Sequence, residues 1–141
     1  MCGRYEYSPG EFREIRIRWN LDRDLPLFKA SYNIAPGREV PVIIRQGDHN
    51  ESKLMRWGLV PSWAQDPSIG NQMINARAET LDQKPAFKHL LSSQRCLIPA
   101  NGFYEWRREG KGKIPVRVVM KDRQPFTFAG LWDRFLNSDT A

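Results

Sequence analysis

Cys2 has the most distinctive chemistry in this sequence, because it directly follows the initiator methionine. Initiator methionine is ordinarily removed before a small residue, and its removal leaves a free α-amine and a thiol on adjacent carbons of Cys2. With reference pKa values of ~7.7–8.0 and ~8.5, both groups are partly nucleophilic near neutral pH. The amine condenses with an aldehyde to a Schiff base, and the thiol then closes a thiazolidine ring on the imine carbon. Cys2 is therefore a candidate for covalent aldehyde capture; the alternative is an inert residue in a frayed terminus.

Polar residues alternate in a second segment, which is predicted to be a strand over residues 72–78. On a strand Asn75, Arg77 and Glu79 would share one face. The Asn75 amide is suited to donate to an oxyanion or to hold the α-amine, and the Arg77 guanidinium is suited to bind a phosphate. The competing interpretation is the ordinary exposed face of a half-buried strand.

A single carboxylate, Glu105, stands between two aromatic residues, Tyr104 and Trp106. Such surroundings suit a carboxyl group to transfer protons near neutral pH. In the alternative interpretation, strand alternation turns Glu105 outward while both aromatic side chains pack inward. Cys96 lies in an apolar run just before this segment and is predicted to be a buried structural thiol rather than a nucleophile.

The chain holds five tryptophans, and bases of single-stranded nucleic acid stack on such rings at ~1–3 kcal/mol each. Trp57 and Trp132 lie in apolar strand patterns and are predicted to belong to the core. Trp63 and Trp106 lie near irregular backbone and are predicted to be exposed platforms for bases.

The net charge is +6, and arginine supplies most of the basic residues, 15 against 7 lysines. Guanidinium groups bind phosphate oxygens as planar forks, so this balance is compatible with a nucleic-acid partner, although many small proteins have a basic surface. Two cysteines, two histidines and the absence of CxxC or HExxH patterns predict no disulfide framework, no metal site and no cofactor. A signal peptide and a membrane-length apolar run are also absent, which predicts a cytoplasmic protein. We expect the protein to be a monomer.

The elements that must position these residues are mostly strands. Residues 8–19 are predicted to form a helix that begins with a Ser-x-x-Glu capping box, and residues 84–91 a shorter one. Residues 31–37 are predicted to be a loop. Alternation predicts strands at residues 40–45, 53–59, 95–98, 102–108, 114–120 and 126–132, with turns at 47–50 and 110–113. This pattern predicts one α+β domain with a barrel-like, mixed or antiparallel sheet and a few short flanking helices.

Six blocks of the sequence, in this order, resemble the SRAP family, the SOS response-associated peptidases. The blocks are Met1–Tyr5, Tyr32–Pro36, Arg56–Trp63, Asn75–Thr80, Arg95–Trp106 and Phe128–Trp132. The resemblance implies an SRAP domain over residues 1–141 with a positively charged DNA cleft. Members of this family recognise abasic sites in single-stranded DNA and shield them through a thiazolidine link to the N-terminal cysteine. They were first proposed to be thiol peptidases, and autoproteolytic removal of Met1 has been suggested.

The resemblance also implies roles for individual residues. Cys2 is then the nucleophile, Asn75 positions the reacting N-terminus and sugar, and Glu105 is the acid/base that helps to open the deoxyribose ring. The residues implied to contact DNA are Arg4 and Arg77 at phosphates and Trp106, Pro36 and Trp63 at bases. The family carries a further catalytic histidine downstream of the Gly-Leu-Trp block; this chain ends before that motif, so we expect the C-terminal part of the domain to be missing.

Three hypotheses follow from these residues. The first is sensing of abasic sites at damaged DNA by lyase-like Schiff-base chemistry that ends in a covalent crosslink to Cys2. The second is a cysteine peptidase that removes its own Met1, with Glu105 moving protons and Asn75 stabilising the oxyanion. The third is a non-covalent single-strand binder, which would treat intact and abasic strands alike.

Overall fold

The computed structural model describes residues 2–8, 16–21, 28–136 and 138–141. Within these residues the chain forms ten strands: β1 Tyr5–Tyr7, β2 Ser31–Ile34, β3 Glu39–Gln46, β4 His49–Arg56, β5 Arg95–Ala100, β6 Gly102–Glu109, β7 Gly112–Val118, β8 Phe126–Leu131, β9 Asp133–Phe135 and β10 Ser138–Thr140. The helical elements whose ends are both described are short: an α-helix at Pro85–Lys88 and 3-10 helices at Pro67–Asn71, Ala78–Thr80 and His89–Leu91. None of the helices in the described ranges is long and apolar enough to cross a membrane.

The strands form two sheets that curl around one core. The smaller sheet has the order β2-β1-β6-β7, and the larger sheet has the order β8-β5-β3-β4-β10-β9. All named strand pairs are antiparallel except β10 and β4, which run parallel with Thr140 opposite Arg56. The resulting half-barrel with a mixed sheet and few short helices confirms the predicted α+β fold class.

The core lies between the sheets and is closed by aromatic rings. The Tyr5 ring meets Trp57 edge-on with centroids 5.4 Å apart, and Phe103 and Phe128 pack at 5.7 Å. Trp57 is 8 % exposed, which confirms its predicted place in the core. Cys96 is buried as predicted, and burial raises the pKa of its thiol to about 12, so this thiol is an inert packing group.

Most predicted elements exist, with shifted ends. The turn between β3 and β4 is shorter than predicted, and β4 therefore begins earlier. Gly47 adopts a φ of +59° that permits a two-residue turn, which places Gln46 of β3 opposite His49 of β4. The predicted loop at residues 31–37 is wrong in its first half, since Ser31–Ile34 pairs with β1 as β2. Of the predicted helix at residues 8–19, residues 16–18 are helical, and residues 9–15 lie outside the described ranges.

The predicted strand at residues 72–78 is wrong. This segment is irregular, and a 3-10 helix begins at Ala78. The carbonyl groups that a strand ladder would need are already used: Met73 accepts from the Leu59 amide at 3.0 Å, and Ile74 accepts from the Trp57 indole at 2.9 Å. The polar residues that follow therefore do not share a strand face as the alternation suggested.

Candidate active site

Cys2 is held at the entry to β1 by contacts to its main chain and its side chain. The Asn75 side-chain amide donates to the Cys2 carbonyl at 2.6 Å, and the Cys2 thiol lies 3.5 Å from the Arg4 carbonyl. Cys2 is half-buried. These contacts give the residue a defined position, in contrast to the frayed terminus of the alternative interpretation.

The loop that carries Asn75 is fixed from the other side by residues of the tryptophan-rich block. The Trp57 indole and the Leu59 amide hold the two residues that precede Asn75. Gly58 is required here, because a Cβ at this position would lie 2.4 Å from the Gly70 carbonyl oxygen and the backbone φ is +127°. Trp57 thus positions Asn75 in addition to filling the core, a role that its apolar context did not reveal.

Glu105 comes close to Cys2 through the pairing of β1 with β6. Tyr5 is opposite Phe103, and the Tyr104 amide donates to the Arg4 carbonyl at 2.9 Å. Glu105 is the next residue along β6. Burial raises the pKa of the Cys2 thiol, and the nearby Glu105 carboxylate raises it further, so this thiol is mostly protonated near neutral pH.

The alternative orientation of this segment is wrong. Trp106 is 51 % exposed, and the Tyr104 hydroxyl lies 3.0 Å from a Glu6 carboxylate oxygen on the outer face of the small sheet. Phe103 packs inward against Phe128. Strand alternation therefore puts Glu105 on the same side as Phe103, which is the side of the core.

The residues predicted to contact DNA lie on exposed or half-exposed surface, but only some of them adjoin Cys2. The Arg4 guanidinium, two residues from Cys2, lies 3.4 Å from the Asn33 side-chain oxygen. Arg77 is exposed two residues after Asn75. Trp63 is 57 % exposed, and Pro36 is half-buried in the turn after β2. No hydrogen bond or ring contact described in the structure links Trp63 or Pro36 to Cys2, so their base contacts remain predictions.

Cys2 and Asn75 lie on the wall of a cavity of about 760 Å³. Most of the lining is apolar, including Ile43, Leu97 and Phe128. Neither Arg4 nor Arg77 is among the residues that line this cavity. Among the described residues, no cluster of three or more His, Cys, Asp or Glu side chains could hold a metal ion.

Sequence reasoning missed the polar cluster behind β1. Glu6 is 3 % exposed and binds Arg117 and Tyr104. The signal was present in the Tyr5-Glu6-Tyr7 triplet: if both tyrosines face the core, alternation turns Glu6 to the opposite face, where a buried carboxylate needs partners.

The half-barrel, Cys2 near the start of the chain and the asparagine loop that holds it point to one family of proteins. The family model of the SOS response associated peptidase (SRAP) matches residues 1–141, and the chain belongs to this family.

Named relatives cover nearly the whole chain. It is 47 % identical over 138 residues to the abasic site processing protein YoqW of Bacillus subtilis (strain 168), a match that covers 96 % of this chain and 61 % of YoqW. It is 32 % identical over 137 residues to the abasic site processing protein YedK of Escherichia coli (strain K12), covering 93 % of this chain and 59 % of YedK. The chain therefore spans about three fifths of the length of these relatives.

A solved structure shares the fold. A protein from Bacteroides thetaiotaomicron superimposes with a TM-score of 0.82 at 27 % identity, covering 99 % of this chain and 65 % of that protein.

Proposed function

We propose that this chain captures abasic sites in single-stranded DNA as a covalent crosslink to Cys2. The observation that carries the proposal is the 2.6 Å hydrogen bond from Asn75, which fixes Cys2 near the Glu105 carboxylate. The relatives that are named abasic site processing proteins support the choice of substrate. An abasic site supplies the aldehyde that an aminothiol captures, once the deoxyribose ring has opened.

The aminothiol exposed by removal of Met1 reacts in successive steps. Its α-amine attacks the aldehyde carbon first and forms a carbinolamine. Loss of one water gives the imine. The sulfur then bonds to the imine carbon while the thiol proton is transferred to the ring nitrogen, with Glu105 as the relay. The balance is one aminothiol plus one aldehyde giving one thiazolidine and one water.

The remaining site residues would hold the strand. Arg4 and Arg77 are proposed to bind phosphates on either side of the lesion. Trp106 is proposed to stack on a neighbouring base, as its exposed ring permits. Trp63 and Pro36 are proposed to contact bases further along the strand.

A denaturing gel tests the proposal. Protein freed of Met1 is incubated with an oligonucleotide that carries one abasic site, and we expect a slower-migrating species that survives denaturation. The variant Cys2→Ser keeps the amine and loses the sulfur, so we expect it to form a crosslink only after borohydride reduction of the imine. An equal band with Cys2→Ala, or no band with the unaltered protein, would contradict covalent capture. Equal binding of intact and abasic strands without a crosslink would instead favour the non-covalent binder.

Self-removal of Met1 is the second candidate, and the peptidase named in the family description favours it. The Cys2 sulfur would attack the Met1 carbonyl and the Cys2 nitrogen would leave as the free α-amine, with Glu105 handling protons. Water would then hydrolyse the resulting thioester and release methionine. Protein produced without methionine aminopeptidase decides the question by mass spectrometry. Loss of Met1 that disappears in Cys2→Ala supports self-removal, and retention of Met1 in the unaltered protein contradicts it.

A further inference from the structure

A buried carboxylate lies on β1, the strand that follows the reacting cysteine, four residues after Cys2. Glu6 is 3 % exposed. The Arg117 guanidinium donates to its Oε1 through Nε at 2.8 Å and also through Nη2, and the Tyr104 hydroxyl donates to its Oε2 at 3.0 Å. We call Glu6, Tyr104 and Arg117 the Glu6 cluster. A carboxyl group this deeply buried needs hydrogen-bond partners to offset the cost of its desolvation.

The Glu6 cluster links three strands of the small sheet and contacts the fourth. Glu6 is on β1, Tyr104 is on β6 and Arg117 is on β7. In the pairing of β6 with β7, Arg117 lies directly opposite Tyr104. The Tyr104 hydroxyl also lies 3.0 Å from the carbonyl of Tyr32 on β2. Burial and the hydrogen bond to Glu6 raise the pKa of the Tyr104 hydroxyl, so it stays protonated and remains a donor.

The space for this cluster comes from a glycine. Gly102 lies opposite Glu6 in the pairing of β1 with β6. A Cβ at Gly102 would lie 3.0 Å from Glu6 Oε1 and 3.0 Å from the Val118 carbonyl oxygen, which is tighter than ordinary contact. A larger residue here would therefore push the carboxylate away from its partners.

The same tyrosine connects the cluster to the reacting groups. Through its amide, Tyr104 holds the Arg4 carbonyl at 2.9 Å, and that carbonyl lies 3.5 Å from the Cys2 sulfur. Glu105 follows Tyr104 directly in the chain. β1 has only three residues, so few backbone hydrogen bonds fix its position relative to β6. The side-chain bonds of Glu6 add the restraint that so short a strand lacks.

We infer that the Glu6 cluster positions Cys2 relative to Glu105 for the capture reaction. The inference rests on the proposed function, and the three residues act through the strand rather than on the substrate. A misplacement of about 1 Å at reacting groups is enough to lower a rate by about 10²-fold. Charge-assisted bonds from Arg117 and the Tyr104 hydroxyl are therefore placed where a small shift of β1 has a large effect on rate.

The test compares two tyrosine-to-phenylalanine variants that each delete one hydroxyl. Tyr104→Phe removes the bond to Glu6. Tyr7→Phe is the matched control on the same strand, because the buried Tyr7 hydroxyl has no hydrogen-bond partner among the described residues. Arg117→Lys is the second variant; it keeps the positive charge and loses the planar fork of a side chain that is 46 % exposed, and thermal unfolding measured in parallel checks that it folds.

Three measurements separate positioning from general damage. The first is the single-turnover crosslinking rate with an abasic strand at saturating protein. The second is the affinity for a strand with a tetrahydrofuran analogue, which has no aldehyde. The third is the rate at which a small soluble aldehyde forms the imine with the Cys2 amine, trapped by borohydride, because this step needs neither opening of a sugar ring nor the Glu105 relay.

For Tyr104→Phe and Arg117→Lys we expect crosslinking slower by about 3- to 10-fold, the rate equivalent of one lost hydrogen bond, with affinity and small-aldehyde rate unchanged. Tyr7→Phe should match the unaltered protein in all three. Unchanged crosslinking in both cluster variants, an equal loss in Tyr7→Phe, or a parallel loss with the small aldehyde would overturn the inference. Failure of the unaltered protein to crosslink would refute the proposed function instead, so the two failures are distinguishable.

Discussion

Replacing Asn75 with alanine removes the hydrogen bond that holds the carbonyl of Cys2. The bond is 2.6 Å long and partly buried, and a neutral bond of this kind contributes about 1 kcal/mol. If the whole of that energy is lost from the transition state, the rate falls about fivefold. Because the freed residue is also the nucleophile, lost alignment adds to this effect, and we expect crosslinking about 10- to 100-fold slower in total.

The assay is single-turnover crosslinking of one abasic strand at saturating protein, with thermal unfolding measured in parallel. Asn71→Ala is the matched control: the Asn71 side chain accepts a hydrogen bond from Arg56 at 2.9 Å, and no described hydrogen bond joins it to Cys2. The control should crosslink at the rate of the unaltered protein. The reasoning is refuted if Asn75→Ala crosslinks at that rate too, or if Asn71→Ala loses as much as Asn75→Ala.

Three further predictions follow from the same geometry. Glu105→Gln removes a charge that raises the pKa of the Cys2 thiol, so iodoacetamide should alkylate Cys2 faster near neutral pH, while crosslinking slows. Slower alkylation, followed by mass spectrometry, would contradict the expected direction of the pKa change. Trp57→Phe loses the 2.9 Å hydrogen bond to the Ile74 carbonyl, which should lower the free energy of unfolding by about 1 kcal/mol and slow crosslinking. An unchanged crosslinking rate would show that Trp57 does not position Asn75. Gly58→Ala places a Cβ 2.4 Å from a backbone oxygen and should lower unfolding stability by about 1–3 kcal/mol, and a loss below 0.5 kcal/mol by denaturant titration would show that the loop relaxes.

The fold was predictable wherever alternation and turn chemistry agree. β3 and β4 are an example: apolar residues alternate or run together, and Gly47 marks the turn between them. Ser31–Ile34 escaped prediction because it is short and half-polar and depends on pairing with β1, which itself has three residues. Neither short strand carries enough pattern by itself, and each forms because the other is present.

The site was predictable in its residues but not in its geometry. Asn75 was singled out as one of three polar residues on a strand face, yet it reaches Cys2 from an irregular loop. The hydrogen bonds that make the loop irregular come from Trp57 and Leu59, about sixteen residues earlier in the chain. Contacts between distant segments leave no periodic trace in a sequence, so local patterns identify the functional groups and tertiary contacts decide their placement.

Burial of the reacting thiol appears at first to work against a nucleophile, since it raises the pKa of Cys2. Under the proposed order of steps, however, the thiol attacks only after the amine has fixed the aldehyde on the same residue. Its reaction is then intramolecular. Effective concentrations of about 10⁵ M or more, which are typical of well-oriented groups, offset the low fraction of thiolate. A protonated, half-buried thiol reacts slowly with free electrophiles. Under the proposed mechanism, the raised pKa would therefore favour substrates that the amine captures first, which are aldehydes.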